Sequence, residues 1–179
     1  KMPRQKSWEN KEDRMDLLRN IDLFQEFSSE LIEAITGSFD LKKLKTEEIL
    51  INQGDDGESL FVLVEGLLEV SIQLEGEKKH LTLLRPGSFL GEMALLTGEK
   101  RSADVTSSIE SLVGELTKES IMSLAEENPE ILEKMTAVVA KRRLKNIEMT
   151  TKDLKENYEA IENEQKNLME RVTNFFFGK

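Results

Sequence analysis

The sequence predicts an α+β protein in which a β-roll, of the jelly-roll kind, is flanked by helices and followed by one long helix. Three features of the chain lead to this prediction. Between residues 39 and 116, short aliphatic and β-branched runs alternate with glycine-rich and acidic turns, as is typical of an all-β roll. The segments on either side carry apolar residues at helical spacing. The C-terminal segment places an apolar residue at every seventh position.

Composition excludes several classes of protein. The 179 residues suit one domain with an appendage, and they include no cysteine and only one histidine, His80. Disulfides and thiolate metal sites are therefore excluded, and we expect neither a metal ion nor an enzyme, because no convincing nucleophile–base pair is visible. The net charge of −10 argues against nucleic acid as a partner, since that needs a basic surface.

The cellular location is predicted from membrane-spanning and targeting segments. No apolar run has the length of a membrane span and no signal peptide is visible, so we expect a cytoplasmic protein without membrane contact. The sequence starts at Lys1 with Met2 second. We therefore expect a fragment, and an effector or membrane domain upstream stays open.

The first 37 residues are predicted to hold a linker and two short helices. The first helix spans Glu12 to Asn20, and Asp22 to Phe27 follow as a turn. The second starts at Ser28, a good N-cap, and ends near Gly37.

The β-roll is predicted over residues 38–117. Its expected strands are Leu41–Leu44, Ile49–Ile51, Leu60–Val64, Leu67–Leu74, His80–Leu84, Arg101–Val105 and Ser111–Val113. Alternation in Leu68–Leu74 places Leu68, Val70, Ile72 and Leu74 on one face, which we expect to line the roll. Glu75-Gly76-Glu77 is predicted to form the tip of a hairpin.

The segment from Gly87 to Ala103 is the most informative stretch. A short helix from Gly91 to Leu96 would offer free amides to an anion. Arg101, on the following strand, could fold back and hold a phosphate by two parallel hydrogen bonds. Glu92 could accept a hydrogen bond from a sugar hydroxyl. The chemistry indicated is a pocket for a phosphorylated sugar; the alternative is a surface turn with an ordinary ion pair.

The C-terminal third is predicted to be helical. Thr117 is a good N-cap for a helix over Lys118–Glu126, and Pro129 suits the first position of the next helix. No glycine or proline then interrupts the chain until Gly178, so the helix is expected to continue. Its last part, residues 146–179, carries a heptad pattern with d positions Ile147, Leu154, Ile161, Leu168 and Phe175 and a positions Leu144, Thr151, Tyr158, Gln165 and Val172.

The heptads predict a coiled-coil extension that forms a homodimer. A lone exposed helix is the alternative. Phe175-Phe176-Phe177 is too apolar to be left exposed, and we expect it to pack on a partner or on an absent segment.

Three stretches resemble the cyclic nucleotide-binding domain family, of the catabolite activator and cyclic nucleotide-gated channel type. Gly87 to Ala103 resembles its phosphate-binding cassette, reading F-x-G-E-x-A-L-L-x-G-x-x-R-S-A. Gly54 to Gly66 and Leu84-Arg85-Pro86-Gly87 resemble parts of its β-roll. The similarity covers roughly Leu23 to Lys145.

The resemblance implies a ligand-binding set in the cassette. Arg101 would pair with the cyclic phosphate, and the amides of Ala94 and Ala103 would add donors. Glu92 and the backbone of Gly91 would take the ribose 2′-hydroxyl, with Met93 in the same segment. Ser102 lies where the family's choice between cAMP and cGMP is often decided.

The resemblance also implies contacts to the base. Val70, Thr82 and Leu84 match base-contacting strand residues, although each could be a plain core residue. Residues 118–145 would be the hinge and lid helices, and Arg142 matches a lid arginine that touches the base in hyperpolarisation-activated channels. The alternative for Lys141-Arg142-Arg143 is a solvated basic face.

The function implied is a cyclic nucleotide sensor that couples occupancy to lid movement and to a helical dimer. Bacterial activators with Arg-Ser-Ala bind cAMP, which favours cAMP over cGMP as the ligand. Two alternatives stay open: a regulatory fragment of a channel or other effector, and a dimerisation module that binds nothing. A transcription activator would need a helix-turn-helix after the lid, which this fragment does not offer.

Overall fold

The computed structural model describes residues 6–146 and 154–178. At the N-terminus lie α1 (Lys11–Arg19), a 3₁₀ turn (Asp22–Phe24) and α2 (Ser29–Thr36). The side chains of Asn10 and Ser28 accept backbone N–H groups from the first turns of α1 and α2. Each helix therefore begins where a good N-cap residue satisfies otherwise unpaired donors.

Within residues 6–146 and 154–178, eight strands form two four-stranded antiparallel sheets, which confirms the predicted α+β β-roll. They are β1 (Asp40–Leu44), β2 (Ile49–Ile51), β3 (Ser59–Glu65), β4 (Leu68–Leu74), β5 (Glu77–Leu84), β6 (Phe89–Leu90), β7 (Asp104–Ser107) and β8 (Ser111–Thr117). The first sheet has the order β1-β8-β3-β6 and the second β2-β7-β4-β5. Strand β6 was not predicted from the sequence, because it has only two residues and so shows no alternation.

Strand β3 is apolar on both faces because each face meets a different core. Leu60 and Val62 join the core beneath the helices. Phe61 and Leu63 join the core between the sheets. A strand covered on both faces is expected to carry a continuous apolar run, as β3 does.

Strand β4 does not keep the alternation that its sequence predicts. Leu68 and Ser71 are fully buried, whereas Leu74 is 47% exposed. The register with β5 shifts between Val70 and Ser71, where Leu81 of β5 is the extra residue. The pairs between β4 and β7 run from Leu68 to Ser71, so the end of β4 extends with β5 past this neighbour. The predicted apolar face therefore lines the roll only as far as Val70.

The helices after the roll begin with α3 (Glu92–Thr97), between β6 and β7. They continue with α4 (Lys118–Glu127), α5 (Glu130–Asn146) and α6 (Leu154–Phe177). Helix α6 packs against α5 and α3, which a single continuous helix could not do. The prediction of an unbroken helix from Pro129 to Gly178 is therefore wrong. Within the described ranges, no helix is long and apolar enough to cross a membrane.

The apolar face of α6 is covered by its own chain. Leu168, Val172 and Phe176 are buried in the core that also contains helices α3 and α5, at the four-residue spacing of a globular amphipathic helix. The expectation that Phe176 needs a partner or an absent segment is thus wrong, although Phe177 is 56% exposed. Heptad positions Ile147 and Thr151 lie outside the described residues, and the coiled coil stays a prediction.

Candidate nucleotide-binding site

A cavity of about 230 Å³ lies between the cassette, the second sheet and α5. All the sequence-predicted site residues line it: Val70, Thr82, Leu84, Gly91, Glu92, Met93, Ala94, Arg101, Ser102, Ala103 and Arg142. The structure adds Ile51, Leu90, Glu99, Lys100 and Val105 to this lining. Residues from five separate stretches of the chain are therefore brought to one place.

Arg101 lies in a loop and not on a strand. Its N–H donates to Asp55 O and its carbonyl accepts from Gly54 N–H, both at 2.8 Å. Strand β7 begins only at Asp104, so the predicted strand over Arg101–Val105 starts too early. These two bonds to the loop before β3 fix the backbone of Arg101 beside the cavity.

The end of the Arg101 guanidinium is held by Ser59. Nη1 donates to Ser59 O at 2.7 Å and to Gly91 O at 3.3 Å, and Nη2 donates to Ser59 Oγ at 3.1 Å. These contacts involve Nη1 and Nη2, at the end of the planar guanidinium group. Among the described residues, no acceptor contacts Nε–H, so the Nε/Nη2 edge keeps the fork that suits a phosphate.

Two glycines give the guanidinium its space. A Cβ on Gly57 would lie 2.5 Å from both Nε and Nη2, and a Cβ on Gly91 would lie 2.5 Å from Nη1. Gly91 also has a φ of +75°, which favours glycine. Sequence analysis did not identify Gly57 or Ser59 as part of the site, although both lie in the stretch from Gly54 to Gly66.

Burial lowers the pKa of the Arg101 guanidinium, while the carboxylates of Glu115 and Glu92 raise it. Arginine nevertheless stays charged at neutral pH. The site therefore holds a partly dehydrated cation. An anion placed against it regains interactions that burial has removed.

Glu92 and Arg142 face each other at the mouth of the cavity. Arg142 Nη1 lies 3.7 Å from Glu92 Oε1 and donates to Phe89 O at 3.2 Å. Its guanidinium also lies over the Phe89 ring, 4.5 Å from the centroid. Arg142 is thus drawn onto the cassette, and the alternative of a purely solvated basic face does not apply to it.

The opposite wall of the cavity comes from the second sheet. Val70 and Thr82 are directly paired across β4 and β5, and Leu84 follows on β5. Val105 is buried next to them. This wall is mostly apolar and the cassette side is polar, so the cavity suits a molecule with an anionic end and a flat, weakly polar end.

Residues described by the structure contain no group of three or more His, Asp or Glu side chains that could hold a metal ion. The charged side chains that line the cavity are Glu92, Glu99, Lys100, Arg101 and Arg142.

Comparisons with known proteins agree with this arrangement. Residues 41–128 match the family described as the cyclic nucleotide-binding domain. The chain is 34% identical over 104 residues to the cAMP-activated global transcriptional regulator CRP from Escherichia coli O6:H1, covering 57% of this chain and 50% of that protein. It is 29% identical over 136 residues to a cyclic nucleotide-gated potassium channel from Rhizobium etli, covering 73% and 37%.

A solved structure shows the same fold. It is the regulatory domain of Toxoplasma gondii PKA crystallised with cAMP, with a TM-score of 0.61 and 25% identity, covering 76% of this chain and 60% of that one. The chain spans half the length or less of the curated relatives named above. Residues 41–128 of the chain thus resemble the cyclic nucleotide-binding domain family.

Proposed function

We propose that the chain is a cyclic nucleotide sensor module that binds cAMP in the cavity beneath the cassette and passes occupancy to helix α5. The observation that carries this proposal is the geometry of Arg101. Its guanidinium is partly buried and held at its end by Ser59. It lines a cavity whose far wall is apolar.

The cyclic phosphate would bind the Nε/Nη2 edge of Arg101. Two parallel charge-assisted hydrogen bonds are stronger and more directional than contacts to a flexible lysine. The amides of Ala94 and Ala103 would add donors, since both residues line the cavity. Glu92, whose side chain is only 15% exposed, would accept the ribose 2′-hydroxyl.

The base would lie against Val70, Thr82 and Leu84, with Arg142 at the open side. Arg142 now contacts Glu92 and Phe89 O. A ligand that engages Glu92 would change the partner of Arg142, and α5 would move with it. Ligand can shift α5 only to the extent that it binds one position of the helix better.

The choice of cAMP over cGMP is supported by two observations. Arg101-Ser102-Ala103 matches the sequence of bacterial activators that bind cAMP, and the relative from Escherichia coli is described as cAMP-activated. Ser102 is exposed and lines the cavity, where its hydroxyl could reach a phosphate or a base.

Arg101→Ala tests the proposal. Removal of the guanidinium leaves a phosphate unpaired in a partly enclosed site, so affinity for cAMP should fall on the order of a hundredfold. Calorimetric titration measures this. Arg19→Ala removes an exposed arginine that pairs with Asp16, and this control should bind as the wild type does. Near-normal affinity in Arg101→Ala would contradict the site.

Control of a homodimer and of a downstream effector is a further part of the proposal. The relative from Rhizobium etli is described as a gated channel, which supports an effector as the partner. A coiled coil through α6 would have to replace the contacts that now bury Leu168 and Val172. Light scattering with and without cAMP tests this. A molecular mass equal to that of the monomer under both conditions would contradict the proposed dimer. Cytoplasmic location also stays a prediction.

A further inference from the structure

Helix α6 contacts the cassette as well as α5. Leu168, Val172 and Phe176 share one core with Leu95 and Leu96 of α3. Helix α3 carries Glu92 and Ala94, which line the cavity. A change in the position of α6 would therefore reach residues of the site through direct packing.

The C-terminal end of α6 packs against the turn that follows α3. Gly98 adopts a φ of +71°, and a Cβ there would lie 2.4 Å from Phe175 Cε2. Lys118 Nζ lies 3.6 Å from the centroid of the Phe175 ring, a distance suited to cation–π attraction. Phe175 is thus held between the Gly98 turn and the start of α4.

An ion pair ties α6 to the same turn. Arg171 Nη2 donates to Glu99 Oε1. Glu99 lines the cavity and precedes Arg101 by two positions. A second pair, Arg143 to Glu164 at 3.4 Å, links α6 to α5, the helix that carries Arg142.

The Glu99 carboxylate would oppose the binding of an anion in this cavity. It brings a negative charge to the rim of the cavity in which Arg101 is the buried cation. Like charges repel, and this repulsion would weaken phosphate binding unless the carboxylate has a cationic partner. Among the described residues, Arg171 is the cation that pairs with Glu99.

We infer that Arg171 of α6 is a positioning residue for the anion site, which pairs with Glu99 and holds that carboxylate away from the bound phosphate. This inference rests on the proposed binding of a cyclic nucleotide. It gives α6 a role in ligand affinity, in addition to covering the core. Reciprocity then requires that bound nucleotide strengthens the docking of α6 by the same factor.

A double-mutant cycle with the uncharged substitutions Arg171→Gln and Glu99→Gln tests the inference. Arg171→Gln should weaken cAMP binding about twofold to fivefold, as expected for loss of a partly exposed charge pair. Glu99→Gln should not weaken it, because the repelling charge is gone. The double variant should bind as Glu99→Gln does. A pair with a merely structural role would instead give similar losses in both single variants.

Lys11→Gln is the matched control. Lys11 pairs with Glu33 on the exposed surface of α1 and α2, and its loss changes net charge as Arg171→Gln does. It should leave cAMP affinity unchanged. Raising the salt concentration should shrink the Arg171→Gln effect, because exposed charges are screened. A loss that is the same in Lys11→Gln, or that Glu99→Gln does not suppress, would overturn the inference.

Hydrogen exchange of the ligand-free protein separates this inference from the proposed function. Arg171→Gln should speed exchange of the backbone amides from Gly98 to Arg101, because the turn loses its tie to α6, while Lys11→Gln should not. Wild-type protein that binds no cyclic nucleotide would refute the proposed function and leave this measurement valid. Unchanged exchange in Arg171→Gln would refute the positioning role, whatever the wild type binds.

Discussion

Arg101 is the residue on which the proposed anion site depends. Its end is held by the carbonyl and hydroxyl of Ser59, and its backbone is bonded to Gly54 and Asp55. These contacts fix the rotamer before ligand arrives, so less conformational entropy is lost on binding. The Nε/Nη2 edge is the part of Arg101 that would bind the phosphate of the proposed ligand.

Gly57→Ala tests this arrangement without removing any charge. The new Cβ would meet Nε and Nη2 of Arg101 at 2.5 Å, so the guanidinium must shift and its outer edge is obstructed. We expect cAMP affinity to fall roughly tenfold, given the usual cost of overpacking. Titration calorimetry measures the change.

Gly37→Ala is the control for that substitution. Gly37 caps α2 with a φ of −79°, and a Cβ there meets nothing within 4 Å. It should bind cAMP as the wild type does. Equal affinity in Gly57→Ala and Gly37→Ala would show that Arg101 does not present its outer edge to the ligand.

Residue types in the site could be predicted from sequence, but their local geometry could not. The spacing of Gly91, Glu92 and Arg101 is typical of the cassette, and the structure places all three on one cavity. The support from Ser59 was not predictable, because it depends on a contact between residues 42 positions apart. No local pattern encodes such a contact.

Among the elements, α6 differs most from its sequence-based description. Its heptads predict a seam for a second helix, yet Leu168, Val172 and Phe176 bury against the chain's own α3 and α5. Periodicity identifies an apolar face but not what covers it. Phe176 rather than Phe175 is the more deeply buried of the pair, because intramolecular packing follows the four-residue spacing.

Leu168→Ala tests the packing of α6. Loss of a fully buried leucine should lower the free energy of unfolding by about 2–5 kcal/mol, as measured by urea denaturation of the ligand-free protein. Phe177→Ala, at an exposed position of the same helix, should change it by less than about 0.5 kcal/mol. If both variants lowered the free energy of unfolding by the same small amount, α6 would dock on another chain and not on its own. A urea midpoint that rises with the concentration of the wild-type protein would indicate the same.

Strand β4 shows a second limit of sequence patterns. Its alternation predicts one apolar face that lines the roll, but the pairs with β7 end at Ser71, and Leu74 beyond them is exposed. Where a strand loses its neighbour depends on the pairing of the sheet and not on the sequence of β4 itself. Apart from the missed β6, the early start predicted for β7 and the predicted unbroken helix after Pro129, each predicted strand and helix overlaps an element of the structure, since caps and turn residues mark the ends of the elements.

On the scale of the whole molecule, three layers meet at the cavity. The second sheet supplies an apolar wall, the cassette supplies Arg101 and Glu92, and α5 supplies Arg142. Helix α6 joins the cassette to α5 through Arg171–Glu99 and Arg143–Glu164. In the proposed function, a nucleotide bound in this cavity would alter the relation between the roll and its C-terminal helices.

The central claim is that this cavity binds a cyclic nucleotide, and calorimetric titration with cAMP, cGMP and 5′-AMP tests it most directly. We predict saturable binding at one site per chain, tighter for cAMP than for cGMP. Binding of 5′-AMP should be much weaker, because its phosphate is not closed onto the ribose. Absence of heat and of any thermal shift with both cyclic nucleotides would contradict the claim and leave a module that keeps the fold without the ligand.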